Sequence, residues 1–294
     1  MDKFYKEPPL YNCYVRKICL LKRKYPFLQI GSIGKSHQGR RIHALFLGNM
    51  NSPTLITAAF HAQEWLTESL LVMFCEQLCR EINSGSPLIC ALKNRGVIIV
   101  PCVNPDGVEL VLSGLESARE YKNFIEKISG GDLSFYNANI RGVDLNHNFD
   151  AGHSEVLRLE RAAGIFSPSP RRYGGKFPHS ERETAALVSL CKRYRPSRAY
   201  AYHSQGEEIY YKYGKILPSG SENIAKMLSL LSGYKLSEPV NIASHGGFKD
   251  YFIKEFCAPA FTIEIGRGKN PLPISDLSPI FARLYEMMVL SLII

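Results

Sequence analysis

Short apolar runs alternate along this chain with helix-length amphipathic segments, and that alternation restricts the fold more than any other feature. Strand-like runs are read at residues 42–47, 54–60, 97–103, 198–203 and 260–265. Helix-like periodicity is read at 11–24, 66–82, 181–194, 222–231 and 276–292. Runs ordered in this way predict an α/β fold, a sheet covered by helices on both faces. No Pro/Gly/Ser-rich linker interrupts the pattern, so one domain is expected over residues 1–294. The stretch from 150 to 179, rich in Pro, Gly and Arg, is expected to be a long irregular loop.

Sheets of this class bind ligands beyond the carboxyl ends of their strands. His61 directly follows the run TLITAAF, Asn104 follows VIIVPCV, His203 ends RAYAYH, and Glu264 lies near the end of AFTIEI. Four polar groups at four strand ends are therefore expected to meet in one crevice.

Composition narrows the function classes. Lys and Arg number 36 against 27 Asp and Glu, a formal charge of +9, but the basic residues are scattered. No nucleic-acid-binding signature accompanies them, and a solvated basic face is expected. The eight cysteines form no C-x-x-C pair or metal-spaced cluster; Cys75, Cys79, Cys102 and Cys257 are read as buried thiols of a reducing compartment. Charges run through the first 26 residues without a secretory h-region, and the apolar tail MMVLSLII is too short to span a bilayer. The tail is expected to be a helix packed on the core. A cytoplasmic protein is expected, with no membrane span, no nucleic acid and no obligate protein partner.

His61-Ala-Gln-Glu64 places an imidazole and a carboxylate three residues apart where a strand turns into a helix, so both can reach one ion. Alone, that spacing is weak. Four further segments add weight: Asn104-Pro-Asp-Gly107, Asp144-Leu-Asn146-His147-Asn148-Phe149 after Arg141-Gly-Val, His203-Ser-Gln-Gly-Glu-Glu-Ile-Tyr210, and Phe261-Thr-Ile-Glu264-Ile-Gly266. In this order, after Ile33-Gly-Lys-Ser-His-Gln-Gly-Arg40, they resemble the zinc metallocarboxypeptidase family across nearly the whole chain. The resemblance implies a single domain with a mixed, mostly parallel eight-stranded sheet and helices on both faces. It implies one Zn2+ per chain held by His61, Glu64 and His203. It implies Glu264 as the general base that activates water and later protonates the leaving amine. Asp144 matches the acceptor that orients the first metal histidine, and Asn146 a substrate-binding amide.

The departures from the digestive carboxypeptidases bear on substrate. His147 stands where they carry an arginine that grips the terminal carboxylate, and a histidine offers no bidentate fork. Gln63 replaces another arginine, Ile242 falls where they carry a tyrosine, and Asn137 falls near their oxyanion arginine, with Arg141 the nearest candidate. LNHNFDAG, SPSPRRYGG, HSQGEEIYY, GGFKDYF and EIGRGKNPLP resemble a bacterial branch, the γ-D-glutamyl-meso-diaminopimelate peptidases. That likeness implies a small anionic cell-wall peptide as substrate. Lys249, counted back from Glu264, is expected to read an anionic side chain, with Arg267 or Arg141 as substitutes. A metallocarboxypeptidase of broader C-terminal specificity is the alternative; it needs a cationic fork from Arg141 or Arg267. A zinc-less binding protein on the same scaffold is a third reading.

Overall fold

The strand-like runs pair into one sheet. A computed structural model describes residues 3–238 and 244–294. Its strands are β1 (Gln29–Lys35), β2 (Arg41–Leu47), β3 (Thr54–Ala58), β4 (Val97–Val100), β5 (Arg198–Ser204), β6 (Glu208–Tyr210), β7 (Lys235–Leu236) and β8 (Ala260–Ile265). Across the sheet the order is β1-β2-β4-β3-β5-β8-β6-β7. The centre, β4-β3-β5-β8, is parallel; β1 and β2 on one side and β6 on the other join antiparallel, and β7 pairs parallel to β6.

Helices α1 (Tyr11–Lys24), α2 (Trp65–Asn83), α3 (Leu88–Asn94), α4 (Pro105–Ser113), α5 (Lys122–Ser129), α6 (His153–Ala162), α7 (Arg182–Tyr194), α8 (Ser221–Ser232), α9 (Phe248–Phe256) and α10 (Leu277–Ile293) surround it. Alternate residues of the central strands serve opposite faces, as the two-residue period of a strand requires. Tyr200, Tyr202, Phe261 and Ile263 pack with Ile18 of α1, Leu70 and Phe74 of α2, Leu228 of α8 and Leu284 of α10. Ala199, Ala201 and Ala260 face the other way, toward Leu187 of α7 and Phe248 and Phe252 of α9. Burial on both faces explains why these strands read as unbroken apolar runs rather than alternating ones.

Several elements carry no such signal. β1 has no buried residue, β6 buries Ile209 alone, and β7 is two residues long. The stretch 150–179 is only partly irregular, because His153–Ala162 forms α6. The rest is tied down from inside: Gly174 N donates to Glu160 Oε1 at 2.6 Å, and Asn148 Nδ2 donates to the Gly174 carbonyl at 2.7 Å. The apolar tail is α10, with Leu284, Met287, Met288 and Leu292 in the core. No helix among the described residues is long and apolar enough to cross a membrane. All eight cysteines are free; Cys75, Cys79, Cys102 and Cys191 are buried, whereas Cys257, read as buried, is exposed because it caps α9 at the surface.

Candidate metal centre and cleft

β3 ends at Ala58, and the chain turns through Ala59 at φ 51° into His61. Thr67, in the first turn of α2, fixes this turn from both sides: its hydroxyl accepts from Ala59 N at 3.0 Å and donates to the Glu64 carbonyl at 2.6 Å. A short 3-10 turn, Ala62–Glu64, then carries Glu64 back under His61. His203 approaches from the neighbouring strand β5, its ring stacked on Phe60 at 5.1 Å between centroids. Glu264 is the in-register neighbour of His203 on β8.

His61 Nδ1 lies 2.7 Å from Glu64 Oε1, His203 Nδ1 lies 2.9 Å from Glu64 Oε2, and the two Nδ1 atoms are 3.4 Å apart. Tetrahedral ligands at about 2.05 Å from zinc sit about 3.3 Å from one another. The three ligand atoms lie within 4.8 Å of one another, so shifts of a few tenths of an ångström produce a zinc set. The donor set of two imidazole nitrogens and one carboxylate fits zinc and leaves a fourth position for water or substrate.

The remaining nitrogen of His61, Nε2, lies 3.2 Å from Asp144 Oδ1. Asp144 also accepts from Asn146 N at 3.1 Å and, through Oδ2, from Arg172 N at 3.0 Å. Its bond to His61 places the proton on Nε2 and leaves the Nδ1 lone pair for an ion. Burial alone would raise the Asp144 carboxyl, but His147 and His61 hold it well below the usual carboxylate range. Burial likewise opposes ionisation of Glu64, yet the flanking His61 and His203 bring it down to about 2. Burial lowers His61, and the Glu64 and Asp144 charges outweigh it and raise the imidazole. Glu264 moves the other way: burial and the negative Glu64 raise it well above an ordinary carboxyl. Asp144→Asn should therefore weaken zinc affinity by roughly 10–100-fold, measured by competition with a chelator. A variant that melts earlier but binds zinc as tightly as wild type would mark Asp144 as a turn cap alone.

Asn104 does not join the cluster. Its side chain caps α4, accepting from Gly107 N at 3.0 Å, and its amide donates to the carbonyls of Phe60 and Ala138 at 3.0 and 3.2 Å. A Cβ on Gly107 would lie 2.5 Å from Asn104 Nδ2, so only glycine lets the amide sit there. Asp106, two residues on, accepts from Ser36 Oγ, Gln38 N and Arg40 Nη1 at 2.7, 2.8 and 2.7 Å. The GKSHQGR segment thus anchors the loop that steadies the His61 turn. His37 belongs to the same scaffold and lies 3.0 Å from Glu181.

Beside the cluster opens a cleft of about 360 Å³, lined in part by His61, Asn146, His147, Lys249, Asp250 and Glu264. Asn146 Oδ1 accepts from Phe248 N at 3.0 Å, which leaves its NH2 to donate. His147 Nδ1 lies 3.0 Å from the Arg172 carbonyl. Lys249 lines the cleft but is already engaged: its ammonium donates to the Lys212 carbonyl at 2.6 Å and pairs with the adjacent Asp250. Arg141 and Arg267 stand away from the cleft lining. Arg141 lies 3.9 Å from Glu181, and Arg267, 78% exposed, pairs with Glu207 at 2.8 Å. Gln63 donates to the Ser134 carbonyl, and Asn137 is buried with its Oδ1 unpartnered among the described residues. Ile242 lies outside the described residues. Sequence reasoning passed over Glu208 and Tyr210, which line the cleft from β6; their alternation within the HSQGEEIYY segment was the available signal.

Comparison with known proteins bears on the family and the fold. The sequence profile of the zinc carboxypeptidase family matches residues 14–286. The γ-D-glutamyl-L-diamino acid endopeptidase 1 of Lysinibacillus sphaericus is 34% identical over 92% of this chain and 69% of its own length. Among solved structures, bovine thrombin-activatable fibrinolysis inhibitor superposes with a TM-score of 0.75 at 20% identity, over 99% of this chain and 97% of that one. Murein-tripeptide amidase MpaA from Escherichia coli O157 gives 0.56 at 23% identity, over 90% and 91%. At these identities the two structures speak for the fold.

Proposed function

The chain belongs to the zinc carboxypeptidase family and is a zinc metallopeptidase, and we propose that it hydrolyses the bond between γ-D-glutamate and meso-diaminopimelate in bacterial cell-wall peptides. The observation that carries this reading is the 34% identity, over 92% of the chain, with an enzyme named for a γ-D-glutamyl-L-diamino acid bond.

In this reading His61, Glu64 and His203 hold the ion. Zinc, when bound, polarises the scissile carbonyl and acidifies water. Asp144 holds the His61 tautomer that presents Nδ1. Glu264, in the cleft and beside His203 on the next strand, accepts a proton from the attacking water and returns it to the leaving amine. Asn146 donates its free amide hydrogens to the substrate backbone, and His147 stands in the place of a carboxylate-gripping arginine. The placement of the two arginines disfavours ordinary C-terminal trimming: Arg141 and Arg267, the candidates for a cationic fork, face Glu181 and Glu207 instead.

Mass spectrometry of products from a peptide panel tests the proposal. Peptides with a γ-D-glutamyl–diaminopimelate bond should be cut at least about tenfold faster in kcat/KM than α-linked peptides with free C-termini, about 1.4 kcal/mol of discrimination. Stepwise release of C-terminal residues from α-linked peptides, with the γ-linked ones intact, would overturn it in favour of a general carboxypeptidase.

A further inference from the structure

The antiparallel ladder between β6 and β8 forms one wall of the cleft. Glu208 lies opposite Glu264 in register, and Tyr210 lies opposite Thr262; all four residues line the cleft. Two carboxylates directly across an antiparallel ladder repel one another, so the arrangement costs stability. Glu264 has a role in the chemistry already proposed. Glu208 has none.

The other charges of the cleft cancel locally. Lys249 is matched by Asp250, and Glu238 by Lys212 at 2.6 Å. Among the described residues Glu208 makes no ion pair; its side-chain hydrogen bond comes from Tyr210 Oη, at 2.6 Å to Oε2. That bond holds the carboxylate in one orientation and leaves Oε1 to accept from elsewhere. Among the cleft's side chains outside the metal cluster and the catalytic carboxylate, the unmatched charge is therefore negative, and the chemistry Glu208 can recognise is a cation. This reverses the expectation drawn from Lys249 alone.

Resting on the substrate reading above, we infer that Glu208 receives the side-chain ammonium of the diamino acid on the leaving side of the bond, with Tyr210 orienting its carboxylate. Diaminopimelate and lysine both carry that ammonium; norleucine has the same chain length and lacks it. A carboxylate that loses its partner on binding is left desolvated, so the site rejects the neutral analogue as well as favouring the cation.

The test compares wild type, Glu208→Gln and Glu208→Asp on matched peptides ending in lysine or norleucine. One pair is linked through γ-D-glutamate and one through an ordinary α-peptide bond, and calorimetry measures binding of free L-lysine and L-norleucine. Zinc content and melting temperature check that each variant is folded. Wild type should favour lysine over norleucine by roughly 10–100-fold, the scale of a hydrogen bond to a charged group. Glu208→Gln should bring that ratio to near one, chiefly through KM, with Glu208→Asp between. A ratio unchanged in Glu208→Gln, or absent from wild type in both linkages and in free-ligand binding, overturns the assignment. If the γ-linked pair is cut without preference for lysine, Glu208 fails and the bond assignment stands. If only the α-linked pair is cut, yet its ratio collapses in the variant, the bond assignment fails and Glu208 stands.

Discussion

Glu264→Gln should lower turnover by ~10²–10⁴-fold, the usual contribution of general acid–base catalysis, while zinc stays bound. Glutamine keeps the size of the side chain and its place on β8 beside His203. It cannot take up a proton, so both the attack of water and the departure of the amine lose their carrier. The substitution also removes the carboxyl that faces Glu208 across the ladder and that burial and Glu64 keep raised. Stability should therefore hold or rise, and a fall in rate would be separable from a fall in folded protein. Single-turnover kinetics, zinc content and substrate-analogue affinity on one preparation give the answer. Near-wild-type turnover would place the base elsewhere in the cleft, with Glu208 the next carboxylate to examine.

What sequence could reveal followed burial. Runs inside the parallel centre are apolar on both faces, and they fixed the strand ends where His61, His203 and Glu264 emerge. β6 was invisible because a three-residue strand with one buried side chain has no period to detect. The residue that faces Glu264 went unnoticed with it. Asn104 misled for the opposite reason: it closes an apolar run whose strand stops at Val100, and N-P-D-G with proline at the first helical position is equally a helix-start signal, capping being its observed use. Lys249 shows a third limit. Adjacent helical residues point about 100° apart, so nothing in the sequence indicates that Lys249 and Asp250 neutralise each other in a buried setting. Arg267 and Arg141 are similar cases, since Glu207 and Glu181 reach them only through the fold.

His203→Ala should abolish stoichiometric zinc binding. The proposed site draws three candidate ligands from two neighbouring strand ends, and His203 is the one that joins them. Without it, His61 and Glu64 remain as a pair on one turn, three residues apart, which any partly exposed surface turn can match. The loss should be larger than that of Asp144→Asn, because a ligand is removed rather than reoriented. Thermal melting supplies a second readout. An ion that binds only the native state stabilises it by RT ln(1 + [L]/Kd), about 4 kcal/mol when zinc exceeds Kd a thousandfold. Wild type should melt higher with added zinc and lower after chelation, whereas His203→Ala should melt at one temperature in both. The Phe60 ring loses the histidine on one face and keeps Phe248 and Phe149 in that variant, so a modest fall in the metal-free melting temperature is expected as well. His147→Ala is the control: it lines the cleft, lies outside the ligand set, and should keep the zinc response. One equivalent of zinc retained through dialysis by His203→Ala would remove β5 from the metal centre and with it the proposed role of His203.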